Sequence, residues 1–255
     1  MDIIILLVVL LVSASAAYLG TLLISRRASL AAEPLGHLAF PGVAIALLFN
    51  FHVFFGALLF ILFGALIIWS LRRITKIPLD VLTGISFVFG LSLGFILLPI
   101  EHAEEAIMGD ITSIEVEDLW IALLSFIVVI SLLTFFRKQI VLSTLSEEIA
   151  KTLGVNVKLT ELIYLISIAL VAAAQVKIVG GILTVALVIL PAATASLISK
   201  SLKQYLILSP LIGIISSILG LLLYEVSELP AGPLIILVSF SIFLIFAIVK
   251  KLKLL

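Results

Sequence analysis

Glu33 and His37 are the residues in this chain best suited to chemistry. They stand four apart, about one helical turn, so a helix through them turns both side chains the same way. A carboxylate and an imidazole suit Mn(II), Fe(II) or Zn(II); Cu(I) would want sulfur, and the chain has no cysteine to offer it. Two ligands do not close a metal site, so a third group, a water or a second subunit must complete it. The local backbone is irregular: Pro34 disfavours helical geometry at Glu33. Pro41 has no N–H to donate to the carbonyl of His37, which leaves that oxygen to face a cavity. Two readings fit Glu33, a ligand on an ion path or a helix cap beside Arg26 and Arg27.

Other groups are weaker candidates. Pro191 frees the carbonyl of Leu187 in the small-residue stretch 186–195, either for packing or for a pathway. Asp110 and Glu228 belong to a set of carboxylates whose summed charge would concentrate cations at one mouth of the protein. His52 and His102 stand at the ends of apolar runs and read as interfacial residues rather than ligands. Within residues 137–158, Ser146 followed by Glu147 and Glu148 reads as a helix start and Gly154 as its stop. That short amphipathic helix suits a docking element or an ordinary surface helix. No G-x-x-x-x-G-K-[ST] segment occurs, so the chain lacks a P-loop for ATP, and no Ser/His/Asp or zinc-protease arrangement appears. With no catalytic arrangement in its sequence, the chain does not read as an enzyme.

The elements that must position these residues are membrane helices. Hydrophobic residues fill 64% of 255 positions and charged residues only 12%, where soluble domains carry about 25% charge. Apolar runs near the length that crosses a bilayer core recur throughout. They fall at about 3–24, 34–49, 53–71, 81–100, 118–136, 159–176, 179–198, 204–224 and 230–249. This makes one all-α, polytopic domain over residues 1–255, with nine spans, or eight if the proline-broken second segment is re-entrant. The first run lacks a basic region before it and reads as a retained span. Threading nine spans puts every Lys and Arg except Lys177 on one side, which is thereby cytoplasmic. The N-terminus then lies outside and the C-terminus inside. Asp110, Glu115, Glu117, Asp118 and Glu228 are among the carboxylates on the outer side.

These segments together resemble the permease subunits of manganese-, zinc- and iron-importing ABC transporters. Arg26-Arg27-Ala-Ser-Leu-Ala-Ala-Glu33-Pro-Leu-Gly-His37-Leu-Ala-Phe-Pro41-Gly42-Val is similar to the family's motif around its second span, with Glu33 standing where Asp is usual. Met108-Gly109-Asp110-Ile111 resembles the loop entering the fifth span, and residues 145–154 the helix that couples to the ATPase. Lys177-Ile-Val-Gly-Gly-Ile-Leu, Ala186-Leu-Val-Ile-Leu-Pro191-Ala-Ala-Thr-Ala and Glu228-Leu-Pro-Ala-Gly-Pro233 follow in family order. The resemblance implies a multi-pass protein of a prokaryotic cell membrane, working as a homodimer. Two cytoplasmic ATPase subunits and an extracytoplasmic metal-binding protein would serve it, with no nucleic acid involved. The divalent metal would be cargo rather than a resident cofactor. Glu33 and His37 fall on the family's intramembrane acid and histidine, and Glu147, Ala150 and Gly154 on its ATPase-facing surface. Siderophore and cobalamin permeases are longer, usually ten-span chains. The alternative from another class, a stand-alone ion-coupled carrier or channel, should show paired broken helices with internal symmetry, and no clear repeat is visible.

Overall fold

The computed structural model describes residues 2–25, 36–75, 77, 79–98, 107–227 and 229–252. Among them every regular element is a helix: α1 (Ile3–Ser25), α2 (Ala39–Leu48), α3 (Val53–Thr75), α4 (Leu79–Leu97), a 3-10 turn (Ile111–Ser113), α5 (Val116–Phe135), α6 (Arg137–Leu145), α7 (Glu147–Thr152), α8 (Val157–Ile198), α9 (Leu202–Ser227) and α10 (Ala231–Lys251). Six stretches, in α1, α3, α5, the first part of α8, α9 and α10, are long and apolar enough to cross a hydrocarbon core. Ala39–Leu48, Gly84–Leu97 and Thr184–Ile198 are apolar but shorter. An all-helical, multi-pass membrane chain is therefore what the apolar runs build. Their observed ends fall within about four residues of the expected ones, except for the start of the second run: residues 34 and 35 lie outside the described residues.

The longest element shows how glycine divides a run. As a straight rod, the 42 residues of α8 would reach ~63 Å, twice the core thickness. Gly180 interrupts it with φ 70° and ψ 170°, a backbone conformation essentially reserved for glycine. A small cavity is lined by Ile168, Ala172 and Gln175 from before the break and by Thr184, Val185 and Val188 from after it, so the two halves lie against each other. The expected spans 159–176 and 179–198 are these halves.

Helix α1 and the first half of α8 form the centre, with 61% and 72% of their spans buried against 22% for α10. Small residues make that possible, because in lipid close backbone approach replaces the hydrophobic effect as the driving force. A Cβ at Gly20 would stand 2.0 Å from the Val188 carbonyl oxygen, so α1 and α8 touch backbone to backbone there. Ser13 and Ser217 share a 2.6 Å hydrogen bond between α1 and α9, and Ser209 Oγ donates to the Ala17 carbonyl at 2.6 Å. At the rim, Phe55, Leu59 and Phe63 of α3 and Ile85, Phe89 and Ile96 of α4 are exposed, a surface fit for lipid or another subunit.

The connection 137–158 holds two helices rather than the single one expected. Arg137-Lys138-Gln139 continues helical after a turn at Phe136 and forms α6. Ser146 caps α7, its hydroxyl accepting from the Ile149 N–H at 3.3 Å. Gly154 stops α7 at φ +77°; its N–H donates to the Lys151 carbonyl and the Val155 N–H to that of Ala150, which closes the last turn. Arg72, near the end of α3, donates to Glu161, near the start of α8, so these helix ends meet.

Candidate functional site

His37 sits in helical backbone immediately before α2. The sequence packs this short helix between two longer ones by means of glycine. Gly42 and Gly56 face each other so closely that a Cβ on either would stand 2.1–2.3 Å from the other's carbonyl oxygen. On the opposite flank, a Cβ at Gly94 would meet that of Phe40 at 2.6 Å, and one at Gly90 the His37 carbonyl oxygen at 3.0 Å. Pro41 is buried in α2 and has no N–H for that carbonyl. The freed oxygen thus lies against Gly90 of α4.

The His37 side chain is 3% exposed. Phe87 meets its ring edge-on at a centroid distance of 4.6 Å, and Phe40 lies nearly parallel at 6.3 Å. Its Nδ1 is buried and has no hydrogen-bond partner among the described residues. A buried imidazole nitrogen left unpaired costs free energy unless something supplies a partner, and a metal ion is the partner an imidazole lone pair takes best. Glu33, the expected companion of His37, lies outside the described residues. Among those described, no group of three or more His, Cys, Asp or Glu side chains is poised to hold a metal.

Asp110 is brought to the far end of α2 rather than to His37. It caps the 3-10 turn, Oδ1 accepting from the Thr112 N–H at 2.8 Å and from the Thr112 hydroxyl at 2.6 Å. It also lines a cavity of about 210 Å³ with Val43 and Leu47 of α2, Val53 of α3, and Ser113 and Lys177. At 1.5 Å per residue, Val43 and Leu47 are roughly 9 and 15 Å along the chain axis from His37. Glycines from three motifs pack together beside Asp110. A Cβ at Gly109 would come within 2.7 Å of the Gly180 nitrogen, one at Gly180 within 2.0 Å of the Ile107 carbonyl oxygen, and one at Gly232 within 2.7 Å of that of Met108. Glu228, four residues before Gly232, lies outside the described residues. Pro191 is buried between helices: a Cβ at Gly213 of α9 would stand 3.7 Å from its ring, and Ala192 beside it meets Gly20 of α1.

Ala150, which the resemblance puts on the ATPase-facing surface, is fully buried within its own chain at 0% exposure, whereas Ile149 and Leu153 are 57% and 62% exposed. The small residue lets α7 lie close to its own chain, and the larger apolar side chains point outward. Glu147 lies in the first turn of α7, ahead of that apolar face.

A further constellation of ionisable side chains is assembled only by the fold. Asp118, buried in the first turn of α5, places Oδ2 2.9 Å from Lys177 Nζ and accepts the Glu115 N–H at 2.8 Å. His52 Nε2 stands 3.2 Å from Asp118 Oδ1. The residues come from two helices and the connection before α3, and lie 59 or more positions apart. The available signal was that Lys177 is the single basic residue threaded onto the acidic side.

The chain matches the family described as the ABC 3 transport family over residues 3–250. The manganese import system permease protein ScaB of Streptococcus gordonii is 32% identical, over 94% of this chain and 88% of its own length. The high-affinity zinc uptake system membrane protein ZnuB of Buchnera aphidicola subsp. Schizaphis graminum is 32% identical, over 94% and 95%. Among solved structures, PsaBC from Streptococcus pneumoniae in complex with Fab superposes with a TM-score of 0.84 at 31% identity, covering 95% of this chain and 89% of that one.

Proposed function

Because this chain belongs to the ABC 3 transport family, we propose that it is the membrane-spanning permease subunit of an ATP-binding-cassette importer and carries a divalent transition metal, manganese or zinc, into the cell. The observation that carries the metal path is the buried Nδ1 of His37, unpartnered among the described residues. Glu33, four residues earlier in the sequence, is the carboxylate ligand on this reading, and a water, a second copy of the chain or the freed backbone oxygen of this segment completes the shell. The path runs along α2 from the cavity beside Asp110 to His37. Nine spans cross the membrane, the three shorter apolar helices adding to the six long ones, and the Arg72 end faces the cytoplasm because positive charge gathers there. Asp110 and Glu228 belong to the outer mouth, where a binding protein delivers metal.

ATP chemistry belongs to a partner. The chain has no P-loop, so purified alone it is expected neither to bind nor to hydrolyse ATP. Stoichiometric nucleotide binding would contradict this division of labour. Residues 137–158 form the coupling segment, and the exposed Ile149 and Leu153 of α7 present an apolar face to the ATPase. Ile149→Arg is expected to weaken co-purification with the ATPase on the order of ten-fold, the loss of one central apolar anchor, while the bundle stays folded because this side chain packs outward. Unchanged co-purification and uptake would remove α7 from the interface. Glu33→Asp is expected to retain uptake and Glu33→Ala to lose it, measured with radiolabelled manganese and zinc in cells carrying the complete transporter; equal uptake by all three chains would take Glu33 off the path.

A further inference from the structure

Lys177 brings a positive charge to the brink of the cavity through which, on the reading above, cations arrive. Its Nζ lies 2.9 Å from Asp118 Oδ2 and 3.4 Å from the Ser113 carbonyl oxygen, an oxygen-lined seat filled by the chain's own cation. Lys177 lines two cavities at once. One, of about 20 Å³, it shares with Asp118; the other, of about 210 Å³, it shares with Asp110 and Ser113. The larger has room for a cation with several waters.

The rest of the shell around Asp118 fixes what the seat can take. His52 Nδ1 accepts the Phe54 N–H at 3.2 Å, so a neutral His52 ring carries its proton on Nε2, the nitrogen facing Asp118. In that state Nε2 has no lone pair for a metal; it stands near the carboxylate, with no hydrogen-bond partner among the described residues, and does not ligate beside it. The donors left around the ammonium are oxygens, the Asp118 carboxylate and the Ser113 carbonyl; Asp110 lines the larger cavity with Ser113 and Lys177, and Asp118 the smaller one with Lys177. Oxygen sets suit hard divalent ions such as Mn²⁺. A buried carboxylate without its partner would draw such an ion strongly.

We propose that Lys177 is a tethered counter-cation that sets how tightly the vestibule holds divalent cargo: by neutralising Asp118 it keeps this carboxylate from joining Asp110 as an ion trap. The inference rests on the path proposed above. Lys177 is thus a specificity-determining residue, and metal passes it without being captured.

The test is a charge cycle in the complete, purified transporter, in a His37→Ala background so that the inner site does not contribute. Depletion of the free Mn²⁺ electron paramagnetic resonance signal reads binding. Lys177→Gln is expected to add one Mn²⁺ per chain with affinity raised on the order of ten-fold or more, as loss of one partner of a buried charge pair implies. The Lys177→Gln/Asp118→Asn pair should lose that ion again, and Lys177→Arg should bind as the parent does. If Lys177→Gln binds no extra Mn²⁺, or if the extra ion survives Asp118→Asn, the proposal is overturned.

Should Lys177→Gln not accumulate, uptake kinetics with His37 intact carry the test. Asp118→Asn leaves the ammonium unneutralised and is expected to raise KM for Mn²⁺ several-fold at constant maximal rate; adding Lys177→Gln should bring KM back. A merely structural ion pair would lower the amount of folded protein and leave KM alone, and an unmoved KM overturns the proposal. Failure of the His37 path reads out separately, as parental uptake by His37→Ala alone.

Discussion

His37→Ala is expected to reduce metal uptake by at least the roughly 10–100-fold that loss of even a ligand's supporting partner costs, with assembly and surface expression unchanged. The ring is almost wholly buried, yet what it packs against is largely aromatic: Phe87 edge-on and Phe40 near parallel. Removing it leaves a small apolar gap among residues that are content in an apolar setting, and it removes a buried nitrogen that has no partner among the described residues. Stability should therefore hold while transport falls. Lowering the pH should act in the same direction, because a protonated imidazole has no lone pair to give a metal. Uptake of radiolabelled manganese and zinc, set against the amount of assembled transporter in the membrane, checks both. Parental uptake by His37→Ala would take the histidine off the path.

Gly180→Ala is expected to leave little folded protein. The backbone there, at φ 70° and ψ 170°, costs a non-glycine residue ~1–3 kcal/mol before any contact is counted. The added methyl would then lie 2.0 Å from the Ile107 carbonyl oxygen, 2.3 Å from its carbon and 2.7 Å from the Gly109 nitrogen. These are backbone atoms, so no side-chain rotation relieves the collision. The break in α8 would have to move away from the 107–109 segment, and the place where Gly109, Gly180 and Gly232 meet would open. Detergent-solubilised yield and thermal stability measure the effect; a Gly180→Ala chain that accumulates and melts like the parent would contradict the packing described.

The long spans were legible because apolar run length is a one-dimensional signal, and Lys177 marked the division of the 159–198 stretch correctly even though the turn itself is made by Gly180. The first turn of α6 was not legible: Arg137-Lys138-Gln139 reads as a polar loop, and only the structure shows that α5 turns at Phe136 and continues helical. The burial of Ala150 within its own chain was not legible, because a six-residue helix is too short for its sequence to show an apolar period. For Asp110 the sequence offered charge, and the structure adds a capping role that holds one of its oxygens. His37 was legible as an ionisable residue in an apolar run, the feature that makes such positions functional candidates. Its packing against Phe87, 50 positions away, was not. The His52, Asp118 and Lys177 group belongs to the same class of tertiary facts: each residue taken singly looks like an ordinary charge or ring at the end of a span.

X-ray absorption on the zinc-loaded, purified transporter tests the central claim, that His37 gives its imidazole to the cargo metal. Imidazole scattering is expected in the zinc shell of the parent chain, and its loss, with weaker zinc retention, in His37→Ala. A zinc shell without imidazole in the parent, or one left unchanged by His37→Ala, would contradict it.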